Sequence, residues 1–415
     1  MKGKNKTNQT DPGVVLQRID ETLDKLANKE GKMFFFVSDC KNIPNSNMLY
    51  VYNLARTMKQ IGYDVTMLYQ LRNEYTEHEL KKAKRKGKVI DELRLFGGVG
   101  KWLGDSYASL PHMNVANGGW TVGPQDFLFI PEVFSSLMKD SFDRKVPCKR
   151  YVILQNFKYV TEFIPFGDSW ASYGLTDAVV SNKNQADLLK SFFPYVRTNV
   201  INPFFPATLS KPQKAKTLIV NIATSKHSDA EHIIKTFYWK YPAMSFLTFR
   251  AIRNLPSTEY AEMLKEGCIT IWHDPETPFG YSAIDAMKCG NIVIGKIPEI
   301  IPEWAYDGDK MLNNVMWYNN IDDIPDMLAK VVGSWMRDEI PQEVYDDMDV
   351  TANKYTYEEW EKNVSDFCAK AVDDRINEIK TIRESVAKQA GQQKKEDTKD
   401  ESNEGSDSDN TPAQV

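Results

Sequence analysis

The stretch from residue 268 to residue 308 constrains this chain most. An apolar run, Cys268 to Trp272, leads into a polar loop with two prolines, then a helical stretch, then a second apolar run from Asn291 to Gly295. Strand, loop, helix and strand in that order build a parallel sheet. Ligands of such sheets lie at the carboxyl ends of the strands, where the loop enters the helix. The loop here is Asp274 to Gly280. Glu276 stands within it, and Phe279-Gly280 closes it, with Gly280 able to bring the backbone close to a ligand. The free amides at the start of the next helix favour a phosphate. Asp285 follows five residues later, in the second turn, where an acidic side chain can hold vicinal sugar hydroxyls.

Composition decides between classes. A chain of 415 residues has room for about two domains. Its 42% apolar and 12% aromatic content is that of a globular protein. A net charge of −5 gives no case for a nucleic-acid polymer as partner. Cys40, Cys148, Cys268, Cys289 and Cys368 are far apart and odd in number, which argues against a disulfide framework and for a reducing, cytoplasmic setting. The polar start does not read as a signal peptide, and no run is long and apolar enough to span a bilayer. Peripheral contact with a membrane surface stays open, as does the oligomeric state.

Along the chain, residues 1–32 read as a polar tail and a helix, with Asp11-Pro12 at its start, Val15, Ile19, Leu23 and Leu26 on one face, and Gly31 at its end. Residues 33–205 read as a first α/β domain. Met33 to Val37 is a buried strand, and Ser38 to Asn47 a loop with Asp39, Lys41 and Asn42. A helix then runs to Ile61, and Tyr63 to Tyr69 is the next strand. The basic stretch Lys81, Lys82, Lys84, Arg85, Lys86 and Lys88 could attract phosphate or anionic lipid, or be a solvated helix face. The glycines from Gly97 to Gly100 do not follow an apolar strand, and His112 sits in a Pro-rich turn without a sequence partner. Further strands fall at Asp126 to Val133, Arg150 to Gln155, Asp177 to Ser181 and Val196 to Ile201. The first two end in Pro131-Glu132 and Gln155-Asn156.

Residues 206–345 read as a second α/β domain after a proline-containing linker. It opens with the strand Thr217 to Ala223, followed by Lys226, His227 and a helix. Ser245 to Phe249 is the next strand and Ser257 to Glu266 a helix, before the stretch described above. Residues 346–371 read as a crossover helix carrying Tyr357, Trp360, Val364 and Phe367 on one face. Residues 372–415 read as a charged helix end and then, from Gly391, a polar acidic tail expected to be disordered. The Asp-x-Asp sequences, Asp347 to Asp349 and Asp407 to Asp409, follow no strand, and the five histidines show no paired spacing. No divalent metal is expected.

Together these residues resemble the retaining, metal-independent GT-B glycosyltransferases, the group 1 or family 4-like enzymes of bacterial or phage type. The matching positions are Glu276, Phe279-Gly280, Asp285-Ala286-Met287, Cys289-Gly290, Val293-Ile294, Pro302-Glu303 and Asp307-Gly308. Pro131-Glu132 and Gln155-Asn156 match a bacterial subgroup in order. The sequence departs from the motif in having Asp285 where the family has glutamate, and one extra residue between Glu276 and Phe279.

The resemblance implies an α/β fold of two Rossmann-like domains whose parallel sheets face a cleft, with a C-terminal helix crossing back to the first domain. It implies a nucleotide-sugar donor, such as a UDP- or GDP-sugar, no separate cofactor, and a glycan, lipid-linked or protein acceptor. Asp285, Phe279, Gly280, Lys226, His227 and Glu303 would bind the donor, and Glu276 its sugar. Gln155, Asn156 and Asp39 would face the acceptor. Glu132 would bind or deprotonate an acceptor hydroxyl, or else be a structural carboxylate bonding loop amides. The departures motivate an alternative, a GT-B fold kept as a non-catalytic binding or assembly protein. A GT-B epimerase or phosphorylase is a third reading, with no residues identified for it.

Overall fold

The computed structural model describes residues 11–38, 45–70, 103, 105–115, 120–274 and 279–404, with single positions at 82, 85 and 86; residues 105–106 and 393–404 are described by backbone alone. The expectations placed on Asp39, Cys40, Lys41, Asn42, Glu276, most of the basic stretch, the glycines at 97–100 and residues 405–415 lie outside the described residues.

The first helix, α1 (Pro12–Ala27), starts as the sequence predicts: the Asp11 carboxylate accepts the Gly13 amide at 2.9 Å, and Pro12 occupies the first turn. It ends before Gly31, where Lys29 takes a positive φ of 57°. Then follow β1 (Lys32–Phe36), α2 (Ser46–Gln60), β2 (Asp64–Tyr69), β3 (His112–Asn114), β4 (Phe127–Pro131), α3 (Ser135–Asp143), β5 (Lys149–Leu154), α4 (Phe157–Phe163), β6 (Asp177–Val180), α5 (Lys183–Phe192) and β7 (Arg197–Val200). These strands form one sheet in the order β3-β2-β1-β4-β5-β6-β7, every neighbouring pair parallel. Helices cover both faces, so the central strands are apolar on both sides. Phe35, Phe129 and Tyr151 point to one face, while Phe34, Phe36, Leu128, Ile130 and Val152 point to the other. His112 lies on the edge strand β3, its Nε2 3.0 Å from the Tyr52 hydroxyl and its Nδ1 2.7 Å from the Leu110 carbonyl, so it belongs to the packing.

The second sheet is built from β8 (Thr217–Thr224), α6 (His227–Lys240), β9 (Thr248–Ala251), α7 (Ser257–Glu266), β10 (Gly267–His273), α8 (Tyr281–Lys288), β11 (Ile292–Lys296), the hairpin β12 (Tyr306–Asp307) and β13 (Lys310–Met311), and β14 (Val315–Tyr318). Its order is β14-β11-β10-β8-β9, again wholly parallel. The strand expected at Ser245 to Phe249 forms three residues later, because Pro242–Met244 first makes a 3₁₀ turn. The chain continues through α9 (Ile324–Met336) and α10 (Gln342–Asn353) into α11 (Tyr357–Glu404). In α10, the Asp347 carboxylate accepts the Asn313 amide at 2.7 Å and Asp349 pairs with Lys211 at 2.6 Å, so this Asp-x-Asp is structural.

Helix α11 returns to the first domain. Trp360, Val364, Phe367, Ala371 and Ile379 join the core on the Phe129 and Tyr151 face, with the Phe367 ring 5.3 Å from that of Tyr151. Helix α1 lies along it, tied by Arg383 to Asp20 at 2.6 and 3.1 Å. The amphipathic face of α1 is thereby spent within the protein. The polar segment after Gly391 begins as helix.

A buried charge network pins α11 to the sheet. Asp177, whose side chain is 2% exposed, meets Lys149 and Arg197, each at 2.8 Å, and both of these reach Glu378 on the helix. Burial by itself would raise the Asp177 carboxyl, but the bonds from Lys149, Thr176 and Arg197 outweigh it and hold the group below its ordinary value. Its contribution to stability is therefore present above the carboxylate range and lost as pH falls. Asp177→Asn keeps the shape and removes the charge, leaving Lys149 with one partner. The expected loss is about 2 kcal/mol at pH 7, read by urea denaturation, with the deficit shrinking in acid.

Candidate functional site

Parallel strands deliver their following loops to one end of each sheet, and the two sheets present those ends to each other. On the first domain, Glu132 follows β4 and Gln155-Asn156 follow β5. The amides of Gln155 and Asn156 donate to one Glu132 carboxylate oxygen at 3.2 and 3.0 Å. Glu132 is 2% exposed, and burial pushes it up to about 7 against the pull of those amides. Glu132 does bond loop amides, which is one of the two roles the sequence left open. The Gln155 side chain is anchored through Nε2, which donates to the Asn47 carbonyl at 2.9 Å. Asn156 caps α4, its side chain accepting the Lys158 amide at 3.0 Å.

On the second domain, Gly280 sits immediately before α8 with φ 71° and ψ 47°, the left-handed conformation that glycine adopts without cost. A cluster of tryptophans explains why the loop must turn there. The Phe279 carbonyl accepts from Trp304 Nε1 at 2.5 Å, and the Trp304 ring packs on Trp272 and Trp317. Phe279 is buried against Tyr281 and Tyr355. The loop end that leads the α8 amides is thus held from beneath by apolar rings. In the second turn, one Asp285 oxygen accepts from the Tyr260 hydroxyl at 3.0 Å. Its enclosed position pushes the carboxyl up to about 7, with the Tyr260 bond and nearby Lys288 opposing.

Lys226 caps α6 with an exposed side chain, while its amide donates to Thr224 Oγ1 at 3.3 Å. His227, also exposed, pairs along the helix with Glu231 at 3.0 Å. Glu303 does something the motif does not suggest. Its two oxygens accept from the Lys183 amide at 2.9 Å and Asn202 Nδ2 at 2.6 Å, both in the first domain, and Asn184 Nδ2 returns a bond to the Ile301 carbonyl at 2.8 Å. Glu303 is placed as a clamp between the domains.

Two further residues were not singled out from the sequence. His273 ends β10, 8% exposed, with Nδ1 2.6 Å from the Tyr318 hydroxyl and Nε2 3.4 Å from Asp229; burial lowers its pKa. Its partners lie on α6 and β14, so sequence proximity gives no sign of the set; its position at a strand end was the available signal. Tyr281 opens α8. Its hydroxyl is raised by burial and, beyond that, by Asp285 in its own domain and Glu132 in the other. Tyr50 on α2 feels both Tyr281 and Glu132. The fold therefore gathers Glu132, Gln155, Tyr281 and Asp285 at one cleft, with Lys226 and His227 at the neighbouring strand end of the second sheet. Among the described residues, no group of three or more His, Cys, Asp or Glu side chains is placed to hold a metal ion, and no helix is long and apolar enough to cross a membrane.

The fold is that of the GT-B glycosyltransferases. The pneumococcal O-GlcNAc transferase GtfA, solved with UDP and GlcNAc, superposes with a TM-score of 0.56 at 7% identity, over 83% of this chain and 99% of that one. Sucrose-phosphate synthase from Thermosynechococcus elongatus gives 0.53 at 10% identity, over 83% and 100%. HepE from Anabaena, solved with UDP-glucose, gives 0.51 at 10% identity, over 82% and 99%. No protein-family model and no curated protein sequence matches the chain.

Proposed function

We propose that the protein is a glycosyltransferase that moves a sugar from a nucleotide-sugar donor to a hydroxyl acceptor. The observation that carries this reading is the opposition of two strand-end sets across the cleft. The α8 start with Asp285 lies on one side and the buried Glu132 on the other, near enough that Tyr281 feels both carboxyls. The GT-B neighbours solved with UDP or UDP-glucose support a nucleotide sugar. In this reading the second domain holds the nucleotide. Asp285 takes the ribose hydroxyls, and the Gly280 turn with the α8 amides takes the diphosphate. Lys226, with His227 beside it, offsets charge on the departing group. Glu276 contacts the transferred sugar. The acceptor enters from the first domain, beside Gln155, Asn156 and Asp39.

As the acceptor oxygen bonds to the anomeric carbon, the bond to the diphosphate breaks and its electron pair leaves with the nucleotide. Glu132 binds the acceptor hydroxyl and takes its proton. Closing the cleft excludes water and favours transfer over hydrolysis. The sequence motif supports retention of configuration and independence from metal. The four described cysteines are buried thiols, which suits a reducing compartment.

The alternative, a GT-B fold kept for binding, draws support from Asp285 and Glu303. Both are already engaged, by Tyr260 and by the first domain. Thermal denaturation with UDP, GDP and ADP, and with their glucose esters, with and without magnesium, separates the two. A transferase shows a metal-independent rise in melting temperature with one base, lost in Asp285→Ala, because a ligand of the folded state alone must stabilise it. No rise across the panel would leave the binding module.

A further inference from the structure

Two side-chain atoms in the cleft are enclosed and have no hydrogen-bond partner among the described residues: the Tyr281 hydroxyl and Gln155 Oε1. They come from opposite domains and are complementary, one a donor and one an acceptor. Neither is free to turn away. The Tyr281 ring packs against Phe279 at 5.2 Å and Phe205 at 6.1 Å, which sets the direction of its hydroxyl. Gln155 Nε2 is held by the Asn47 carbonyl at 2.9 Å, and flipping the amide would set two carbonyl oxygens together, so Oε1 is the outward atom. Hydrogen bonds bring their two neighbourhoods together: Phe157, two residues after Gln155, donates its amide to Gln185 Oε1 at 2.7 Å, Lys183 on the same helix donates its amide to Glu303 at 2.9 Å, and the adjoining Trp304 donates Nε1 to the carbonyl of Phe279, two residues before Tyr281, at 2.5 Å. A phenylalanine at 281 would keep the aromatic contacts without enclosing an unpaired hydroxyl, and a buried polar group in that state calls for an explanation.

We infer that Tyr281 and Gln155 form a subsite for the ring of the transferred sugar, the tyrosine donating to one ring hydroxyl and the glutamine accepting from another. The inference rests on the transferase reading, moves Gln155 from the acceptor to the transferred sugar, and adds what that reading leaves open, namely side chains that read the sugar separately from the nucleotide. Sugar hydroxyls are the fitting class because each both donates and accepts, so one ring satisfies both atoms. In the transferase reading Asp285 takes the ribose hydroxyls of a nucleoside diphosphate, which leaves this pair to the sugar ring. The subsite also gives closure a reason to depend on the sugar, since it is complete only when both domains are in place.

Affinities of UDP, GDP and ADP and of their glucose esters, with UDP-GlcNAc added, would be measured by calorimetry on the full chain, Tyr281→Phe and Gln155→Met. Phenylalanine preserves the packing; methionine keeps the volume of Gln155 but also gives up its bond to the Asn47 carbonyl, a structural loss that the diphosphate affinity would report as well. The expected result is that each variant binds the sugar ester about 5–10-fold more weakly while its affinity for the matching diphosphate stays within about twofold. Equal losses for diphosphate and ester would make the pair a structural support, and unchanged ester affinity would mean the two atoms serve water only; either overturns the subsite. An ester bound no more tightly than its diphosphate by the unaltered protein would overturn it too, leaving nucleotide binding intact. Failure of every diphosphate and ester to bind would remove the transferase reading along with it.

Discussion

Glu132→Gln is expected to make the protein more stable at pH 8 while removing most of its activity. Burial holds the Glu132 carboxyl up at about 7, against an ordinary value of 4.5. Between those two values the unfolded chain has released the proton and the folded chain retains it. The folded state then binds more protons than the unfolded one, so stability falls as pH rises through this window. Above pH 7 the full cost is present, about 3 kcal/mol. A glutamine oxygen still accepts the Gln155 and Asn156 amides, and it carries no charge. The variant should therefore gain about 2–3 kcal/mol over the unaltered protein in urea denaturation at pH 8 and match it near pH 4. Turnover should fall about 10²–10⁴-fold, since an amide takes no proton. In the unaltered protein, turnover should rise with pH through about 7 as Glu132 ionises. Asp285, also held at about 7, titrates in the same range, and the variant isolates its share of the profile. A variant as active as the parent would return Glu132 to a purely structural role.

Gly280→Ala should cost about 3–4 kcal/mol, the sum of two separable effects. The left-handed backbone at φ 71° penalises any Cβ by about 1 kcal/mol. That Cβ would also lie 2.7 Å from Trp272 Cζ2 and 3.1 Å from the Trp304 ring, inside a packed cluster that can only yield by moving the loop. Gly308 is the internal control: its φ is 59°, and nothing stands within 4 Å of where a Cβ would go. Gly308→Ala should lose only the backbone part. Equal losses for the two variants in chemical denaturation would refute the packing argument. Because the shifted loop leads the α8 amides, Gly280→Ala should also lose nucleotide affinity, whereas Gly308→Ala should retain it.

Much of the architecture was legible in order along the chain. The helix over Ser257–Glu266 falls where its pattern puts it, and the strands around β1, β4, β5 and β10 fall within a residue or two. Strands covered on both faces are near-continuous apolar runs, and the turns between them are punctuated by glycine, proline and asparagine. The short helices α3 and α4 were not legible, each too brief or too polar to show a clear 3.6-residue period. The crossover helix expected over residues 346–371 divides into α10, which starts earlier at Gln342, and α11 from Tyr357.

The sequence by itself determined a chain of parallel-sheet units, a glycine turn ahead of a helix, and a set of acids and amides at strand ends, because hydrophobic periodicity and backbone conformation are local properties. What those acids and amides touch was decided only by the tertiary structure. Glu303 sits in a donor-type motif yet clamps Lys183 and Asn202 of the other domain. His273 meets partners on α6 and β14, and Tyr281 comes to face Glu132 from 149 positions away. The pKa values of His273 and Tyr281 follow burial and neighbours brought together by sheet order and by the return of α11, and pairings between residues so distant in sequence leave no local trace for a single chain to show.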